Sequence, residues 1–193
     1  RSEFGVLAHL RRAPFARVFD FGRLPPATEL GGHDGRAGYF LTREFIDGRT
    51  LDDAAAEVSP REATRLCGEI ALALDGLHSA GMLHGDLKPG NVIVEPSGRV
   101  RLIDFGLARA FGQSYGASGT PAYVAPEILR GQSADRRADL YALGIVLYQL
   151  LTGALPVRGA TAAQMIDWHL HGPPLRLAAA RPDEVKAELE TTF

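Results

Sequence analysis

The spacing of apolar residues predicts a long amphipathic helix in the first half of the chain. Six apolar residues share one face of this helix, at the three- and four-residue spacing of a buried stripe: Ala63, Leu66, Ile70, Ala73, Leu74 and Leu77. Ser59 followed by Pro60 predicts the N-terminus of the helix, with Glu62 placed to close a capping box. Gly81 predicts its end.

Segments rich in branched and aromatic residues predict two pairs of strands. The first pair covers residues 15–21 and 39–46, and the glycine- and proline-rich residues 22–38 between them are predicted as a loop. The second pair covers residues 92–94 and 100–103. A Pro-Ser-Gly sequence separates these two short strands, which predicts a hairpin.

Three further segments have helical patterns. Residues 1–12 carry apolar side chains at three-residue spacing, which predicts the end of a helix. A buried helix is predicted over residues 139–151. Another is predicted over residues 162–170, opened by a capping box of Thr161 and Gln164.

No residue between Leu140 and Val157 is charged, a length near the lower limit for a membrane span. This run contains Gln149 and the predicted helix stop Gly153, and Arg158 follows it directly. The pattern therefore favours a helix buried in the core of a globular domain, without membrane contact in this segment.

The composition is that of an ordinary globular protein. The chain has 193 residues, 46% of them hydrophobic, and a formal net charge of −2. A charge so close to zero provides no electrostatic reason to expect nucleic acid or an anionic membrane as partner. The single cysteine, Cys67, fits a reducing compartment, so we expect a cytoplasmic domain.

The chemically informative segment is His84-Gly85-Asp86-Leu87-Lys88-Pro89-Gly90-Asn91, which the predicted hairpin connects to Asp104-Phe105-Gly106. A carboxylate, an ammonium and an amide lie close together in the first part, and the hairpin returns a second carboxylate to them. Such a set suits a hard cation and a polyphosphate. Asp86 can accept the proton of an attacking hydroxyl, while Asn91 and Asp104 can supply oxygen ligands to magnesium.

These motifs resemble the eukaryotic-type protein kinases, in a bacterial serine/threonine form. Residues 84–91 resemble the catalytic loop of that family and residues 104–106 its magnesium loop. Residues 119–123 resemble its peptide-docking loop, and Ala125-Pro126-Glu127 the end of its activation segment. Asp139 and the residues after it resemble the central buried helix.

The resemblance implies an α+β, protein-kinase-like fold. Residues 1–46 would be a partial small lobe with the end of helix C and strands 4 and 5, and residues 47–193 most of the helical large lobe, truncated before its last helices. Of the 21 basic side chains only Lys88 and Lys186 are lysines. Neither can be the lysine that holds ATP in the small lobe, so we expect the chain alone to be inactive.

The resemblance also implies an activity and a set of site residues. The activity is transfer of the γ-phosphoryl group of ATP to Ser/Thr hydroxyls of a protein substrate, with ATP and Mg²⁺ as cofactors. Asp86 and Lys88 would be catalytic, and Asn91 and Asp104 would bind the metal. The nucleotide would be bound by Glu3, Glu44, Ile46, Lys88, Asn91, Ile93 and Asp104.

Two residues depart from the family pattern. Gly85 stands where an arginine usually pairs with a phosphorylated activation loop, so we hypothesise that activity does not depend on such phosphorylation. Arg43 stands at a position that faces adenine and is commonly apolar. Either its side chain turns outward, or the alignment of Glu44 and Ile46 with the hinge is off by one residue.

Two other functions remain open on sequence alone. A small-molecule kinase of the aminoglycoside or choline type also uses a His-Gly-Asp loop, although it lacks a peptide-docking loop like that of residues 119–123. A pseudokinase would keep the fold as a regulatory binding module without the chemistry. The presence of Asp86, Lys88, Asn91 and Asp104 together favours an enzyme.

Overall fold

The computed structural model describes residues 14–23, 39–113, 119–157, 159 and 161–173. The strands within these residues are β1 (Val18–Arg23), β2 (Tyr39–Arg43), β3 (Arg49–Thr50), β4 (Met82–Leu83), β5 (Val92–Val94), β6 (Val100–Leu102) and β7 (Arg109–Ala110). The α-helices are α1 (Leu51–Ala54), α2 (Pro60–Ser79), α3 (Pro126–Leu129), α4 (Arg136–Thr152) and α5 (Ala162–His171). Short 3₁₀ turns cover Ala55–Glu57 and Pro89–Asn91. The predicted helix end in residues 1–12 lies outside the described residues.

Helix α2 forms the centre of the hydrophobic core, as its apolar stripe predicts. All six residues of that stripe are buried, and they pack together with residues of helix α4 such as Ala142, Val146 and Leu150. Helices α2 and α4 therefore present their apolar faces to each other. This confirms that α4, the buried helix predicted over residues 139–151, is a core element. It begins at Arg136, capped by Asp135, rather than at Asp139.

The predicted capping box of α2 forms only in part. The hydroxyl of Ser59 accepts the backbone N–H of Glu62 at 3.2 Å. The Glu62 carboxylate, however, binds the guanidinium of Arg65 at 2.8 and 2.6 Å instead of returning to the cap. A guanidinium one turn away can bind a carboxylate through two nitrogens and so competes well with the cap. The prediction of a closed capping box was therefore wrong. The box of Thr161 and Gln164 at α5 is confirmed.

The strands in the described part of the chain form three small antiparallel sheets. Strands β1 and β2 pair with each other, β3, β5 and β6 form a second sheet, and β4 pairs with β7. The hairpin of β5 and β6 is confirmed. The first predicted strand begins only at Val18, because Phe15 forms an isolated bridge to Leu102 in β6. The second ends at Arg43, and most of the predicted loop between the two lies outside the described residues.

Strands and helices thus share one core in the α+β arrangement that the sequence predicts. A second cluster of buried residues joins β4, α3 with the segment that leads into it, and α4, and includes Leu83, Val124, Ile128 and Ala138. No helix in the described part of the chain is long and apolar enough to cross a membrane.

Candidate active site

A buried carboxylate in helix α4 anchors the loop that carries the candidate catalytic residues. Asp139 is only 2% exposed and accepts the backbone N–H groups of His84 at 2.9 Å and Gly85 at 3.0 Å. It also lies 2.8 Å from Nε2 of His78, at the end of α2. Since an aspartate is rarely buried without partners, the burial of Asp139 in the first turn of α4 is explained by these three contacts.

The Asp86 carboxylate, which follows this anchor, is held from two sides. Its Oδ2 lies 2.9 Å from Nζ of Lys88. Its Oδ1 accepts the backbone N–H and the hydroxyl of Thr120, both at 2.8 Å. Burial opposes ionisation of this carboxyl, but the hydrogen bonds from Lys88 and Thr120 outweigh it and keep the pKa of Asp86 below its ordinary value. Asp86 is therefore a carboxylate at neutral pH, able to accept a proton.

Lys88 and Thr120 also contact each other. Nζ of Lys88 lies 2.9 Å from Oγ1 of Thr120, so one ammonium joins the carboxylate and the hydroxyl. The segment at Thr120 is the predicted peptide-docking loop, and it is thereby brought against the catalytic loop. The sequence placed Thr120 near the site, but the two contacts to Asp86 and Lys88 have no sequence signal.

Asn91 lies at the end of the short 3₁₀ turn that follows Lys88, and it is buried. Its amide nitrogen donates to the backbone oxygen of Asp86 at 2.9 Å and approaches Oδ2 of Asp86 at 3.3 Å. Because both contacts use the amide nitrogen, a cation would bind Asn91 through the amide oxygen. The amide orientation is therefore determined by the catalytic loop itself.

The hairpin returns Asp104 beside Asn91, as the sequence predicts. The backbone N–H of Ile103 donates to the backbone oxygen of Asn91 at 3.0 Å, which places the next residue at the same edge. Asp104 has a backbone φ of 63°, a left-handed conformation that is uncommon for a residue other than glycine. Its side chain is exposed, and Oδ1 accepts the N–H of Gly106 at 3.2 Å.

The donor set of Asn91 and Asp104 fits magnesium. Among the described residues, no group of three or more His, Cys, Asp or Glu side chains could hold a metal by itself. Magnesium, however, is commonly bound by one or two protein oxygens together with water and phosphate oxygens. An amide oxygen and a carboxylate at one edge therefore suit an ion that is shared with a polyphosphate.

Phe105 fixes the loop that carries Asp104. Its ring lies 5.1 Å from the ring of His84 and 5.6 Å from that of Phe15, measured between centroids. His84 is fully buried, and this burial lowers the pKa of the imidazole, which favours the neutral ring. His84 is thus a packing element between the two loops.

Residues 44–47, which follow β2 and contain the predicted hinge positions Glu44 and Ile46, belong to no helix or strand. The backbone N–H of Glu44 donates to the backbone oxygen of Arg17 at 2.7 Å. At Gly48 an added Cβ would lie 2.7 Å from the Cγ2 of Ile93, so this segment crosses directly over Ile93. The side chain of Arg43 is exposed. Glu3 lies outside the described residues.

The glycine that replaces the family's arginine has a tight backbone environment. Gly85 adopts a φ of 79°, and a Cβ added there would lie 2.5 Å from the backbone oxygen of Leu107. Such a distance is far below van der Waals contact. In this structure Gly85 therefore allows the loop after Phe105 to approach the catalytic loop.

Comparison with known proteins agrees with this geometry. Residues 31–190 match the protein kinase domain family. The chain is 40% identical over 178 residues to the serine/threonine-protein kinase PknJ of Mycobacterium tuberculosis, covering 86% of this chain and 30% of that protein. It is 32% identical over 201 residues to the serine/threonine-protein kinase PknA of the same species, covering 100% of this chain and 45% of that protein.

A third relative comes from another bacterial genus. The probable serine/threonine-protein kinase PknB of Bifidobacterium longum is 34% identical over 181 residues, which cover 88% of this chain and 26% of that protein. The chain thus spans less than half the length of these curated relatives. The catalytic and magnesium loops, the anchoring aspartate and the family match together show that the chain belongs to the protein kinase family.

Proposed function

We propose that the protein containing this chain transfers the γ-phosphoryl group of ATP to serine or threonine hydroxyls of protein substrates. The observation that carries this proposal is the mutual contact of Asp86, Lys88 and Thr120, each pair of side chains lying 2.8 to 2.9 Å apart. The names of the relatives, all serine/threonine-protein kinases, support it.

In this proposal Asp86 is the catalytic base. The substrate oxygen forms a bond to the γ-phosphorus, the bond from that phosphorus to the β,γ-bridging oxygen breaks, and ADP leaves with the electron pair. The hydroxyl proton passes to the carboxylate of Asp86, whose lowered pKa keeps it ionised at neutral pH. Thr120 and Lys88 hold the carboxylate in the orientation that this step requires.

Lys88 has a second role, which is to offset negative charge on the transferred group. Its ammonium already lies 2.9 Å from both Asp86 and Thr120, so it is positioned without a rearrangement. Asn91 and Asp104 would hold Mg²⁺. The bound ion would neutralise charge on the phosphate oxygens.

The nucleotide base would bind along the hinge. The carbonyl of Glu44 and the backbone N–H of Ile46 offer an acceptor and a donor to adenine, and the half-buried Ile93 offers an apolar surface for the flat ring. Glu3 would contribute from the small lobe. We propose that this domain works in the cytoplasm, where ATP is available and where the buried thiol of Cys67, whose pKa burial raises to about 12, stays unreactive.

Phosphorylation assays on the whole protein test this proposal. Wild-type protein, with MgATP and a Ser/Thr-containing protein such as casein, is expected to produce phosphoserine or phosphothreonine. Asp86→Asn is expected to lower kcat by about 10²- to 10⁴-fold while MgADP binding persists. Asp75→Asn, at an exposed position of helix α2, is the matched control and should retain full activity.

Three results would contradict the proposal. Equal activity of wild type and Asp86→Asn would exclude Asp86 as the base. Phosphorylation of small alcohols but of no protein would favour a small-molecule kinase. Binding of MgADP without any phosphoryl transfer would favour a pseudokinase.

A further inference from the structure

One guanidinium lies where three separate segments of the chain meet. Nη2 of Arg101 donates to Oε2 of Glu44 at 2.8 Å and to the backbone oxygen of Phe15 at 2.9 Å. Its Nη1 lies 3.2 Å from Oε1 of Glu95, in the turn before β6. The side chain of Arg101 is only 15% exposed. It therefore joins the hinge, the segment leading into β1, and the hairpin of the large lobe.

The alternation of strand β6 directs Arg101 toward the hinge. Val100 and Leu102 are buried in the core, so the residue between them points to the opposite face. Arg101 is the register partner of Ile93 in β5, and residues directly opposite in an antiparallel pair share a face. The guanidinium is thus on the same face as Ile93, beside the hinge.

The carboxylate of Glu44 is held by more than this one arginine. The backbone N–H of Arg17 donates to its Oε2 at 3.1 Å. This bond is the main cause that keeps the pKa of Glu44 below its usual value; burial opposes it and Arg101 reinforces it. Arg101 is, however, the contact that ties Glu44 to the large lobe, since Arg17 belongs to the segment that enters β1.

We propose that Arg101 is a positioning residue for the nucleotide, which clamps the Glu44 side chain and so holds the hinge backbone at the spacing that adenine binding requires. This inference rests on the proposed function. Arg101 lies in strand β6, which leads directly to Asp104. The clamp therefore connects the part of the site that would bind adenine to the part that would bind the metal. It contacts none of the reacting atoms, and its effect is therefore on nucleotide affinity.

An arginine suits this role better than a lysine. The clamp has three acceptors, namely two carboxylates and one backbone oxygen, in different directions. A planar guanidinium with several fixed donors can reach all of them at once, whereas a single ammonium is a compact point charge. Loss of the guanidinium would also leave Glu44 and Glu95 without their shared cation.

The test compares Arg101→Gln with Arg99→Gln in the whole protein. Arg99 is on the same hairpin, but its side chain is 75% exposed and contacts only Glu95 among the described residues, at 3.4 Å. Arg101→Gln is expected to raise the KM for ATP about 3- to 10-fold with kcat within about twofold of wild type. The affinity for MgADP should fall by the same factor. Arg99→Gln should change neither quantity.

If Arg101→Gln does not fold, the variants Arg101→Lys and Glu44→Gln test the same inference. Each is expected to raise the KM for ATP about 2- to 5-fold, and their combination should be no worse than the more affected single variant, because both break the same contact. An unchanged KM for ATP and an unchanged MgADP affinity in Arg101→Gln or Arg101→Lys would overturn the inference. A variant in which only kcat fell, in proportion to the fraction of folded protein, would also overturn the inference.

The MgADP measurement separates this inference from the proposed function. If wild-type protein transfers no phosphoryl group to protein, the proposed function fails. The clamp is then judged by MgADP affinity in calorimetry, which needs no turnover. Equal affinities of wild type and Arg101→Lys would overturn the clamp even if the enzyme is an active kinase.

Discussion

Oδ1 of Asp86 lies 2.8 Å from both the backbone nitrogen and the hydroxyl oxygen of Thr120, which are 34 positions away in the chain. The contact joins the proposed base to the loop that would hold the substrate peptide. Since the backbone N–H and the side-chain hydroxyl act on one oxygen, the carboxylate is restrained in rotation as well as in position. The orientation of the Asp86 carboxylate is thus controlled by the loop that carries Thr120.

Removal of the Thr120 hydroxyl is expected to impair catalysis more than folding. Thr120→Val keeps the shape and the backbone N–H but deletes two charge-assisted hydrogen bonds, one to Asp86 and one from Lys88, for which we expect a fall in kcat of about 10- to 100-fold. Thr120→Ser should retain most of the activity. Steady-state kinetics on the whole protein measure both, and a fully active Thr120→Val would show that the hydroxyl does not orient Asp86.

Loss of the Asp139 carboxylate is expected to destabilise the fold. Asp139→Ala leaves two backbone N–H groups and His78 without their buried acceptor, which should lower the free energy of unfolding by about 3 to 5 kcal/mol. Asp135→Ala removes the exposed cap of the same helix and should lower it by only about 1 kcal/mol. Urea unfolding measures the free energy of unfolding of both variants. Equal decreases of this free energy would contradict the anchoring role of Asp139.

The environment of Gly85 predicts that even a methyl group is poorly tolerated. Gly85→Ala combines a left-handed backbone, costing about 1 to 2 kcal/mol, with a Cβ placed 2.5 Å from the oxygen of Leu107. Gly131→Ala is the matched control, since its φ is 67° but nothing lies within 4 Å of the added atom. Thermal unfolding should show a larger loss of stability for Gly85→Ala than for Gly131→Ala. A loss no greater than that of Gly131→Ala would mean that the loop simply moves aside.

Gly85 also predicts that activity persists without a phosphorylated activation loop. No arginine precedes Asp86 to pair with a phosphate, so treatment of the whole protein with a phosphatase is expected to leave kcat within about twofold. Ser114→Ala and Ser118→Ala should behave as wild type. Abolished activity after phosphatase treatment, reproduced by one of these substitutions or by Tyr115→Phe, would refute the hypothesis.

Buried histidines predict a loss of stability in mild acid. Burial lowers the pKa of His84 and of His169, which lies 2.7 Å from the hydroxyl of Tyr141. Below about pH 6.5 the unfolded chain binds protons that the folded chain does not, so stability falls as the pH is lowered from 7 to 5. Each histidine contributes at most about 1.4 kcal/mol per pH unit.

Urea unfolding across this pH range measures the effect. His169→Gln should reduce the slope of stability against pH. The carboxylates of Asp86 and Glu44, whose pKa values are lowered, lose their contribution only near and below pH 4 and do not enter this window. An unaltered slope in His169→Gln would exclude His169 as a contributor.

The sequence by itself determined the family and the identity of the candidate catalytic residues. Asp86, Lys88 and Asn91 lie within one short loop, and a hairpin of predictable type returns Asp104 to it. The long helix Pro60–Ser79 was also predictable, because its stripe of apolar residues and its capping serine are local patterns. Such features depend on neighbours in the chain, which periodicity and turn chemistry describe directly.

Only the tertiary structure decided which distant groups meet. Asp139 is 55 positions from His84, and Arg101 is 57 positions from Glu44, so no spacing rule connects them. Even the short-range capping box failed, since Arg65 competes for the Glu62 carboxylate. Partners of a buried or half-buried charge are selected by how helices and strands pack. The orientation of the Asp86 carboxylate and the contact of Arg101 with Glu44 therefore follow from the packed fold, while the chemical groups themselves are readable from the chain.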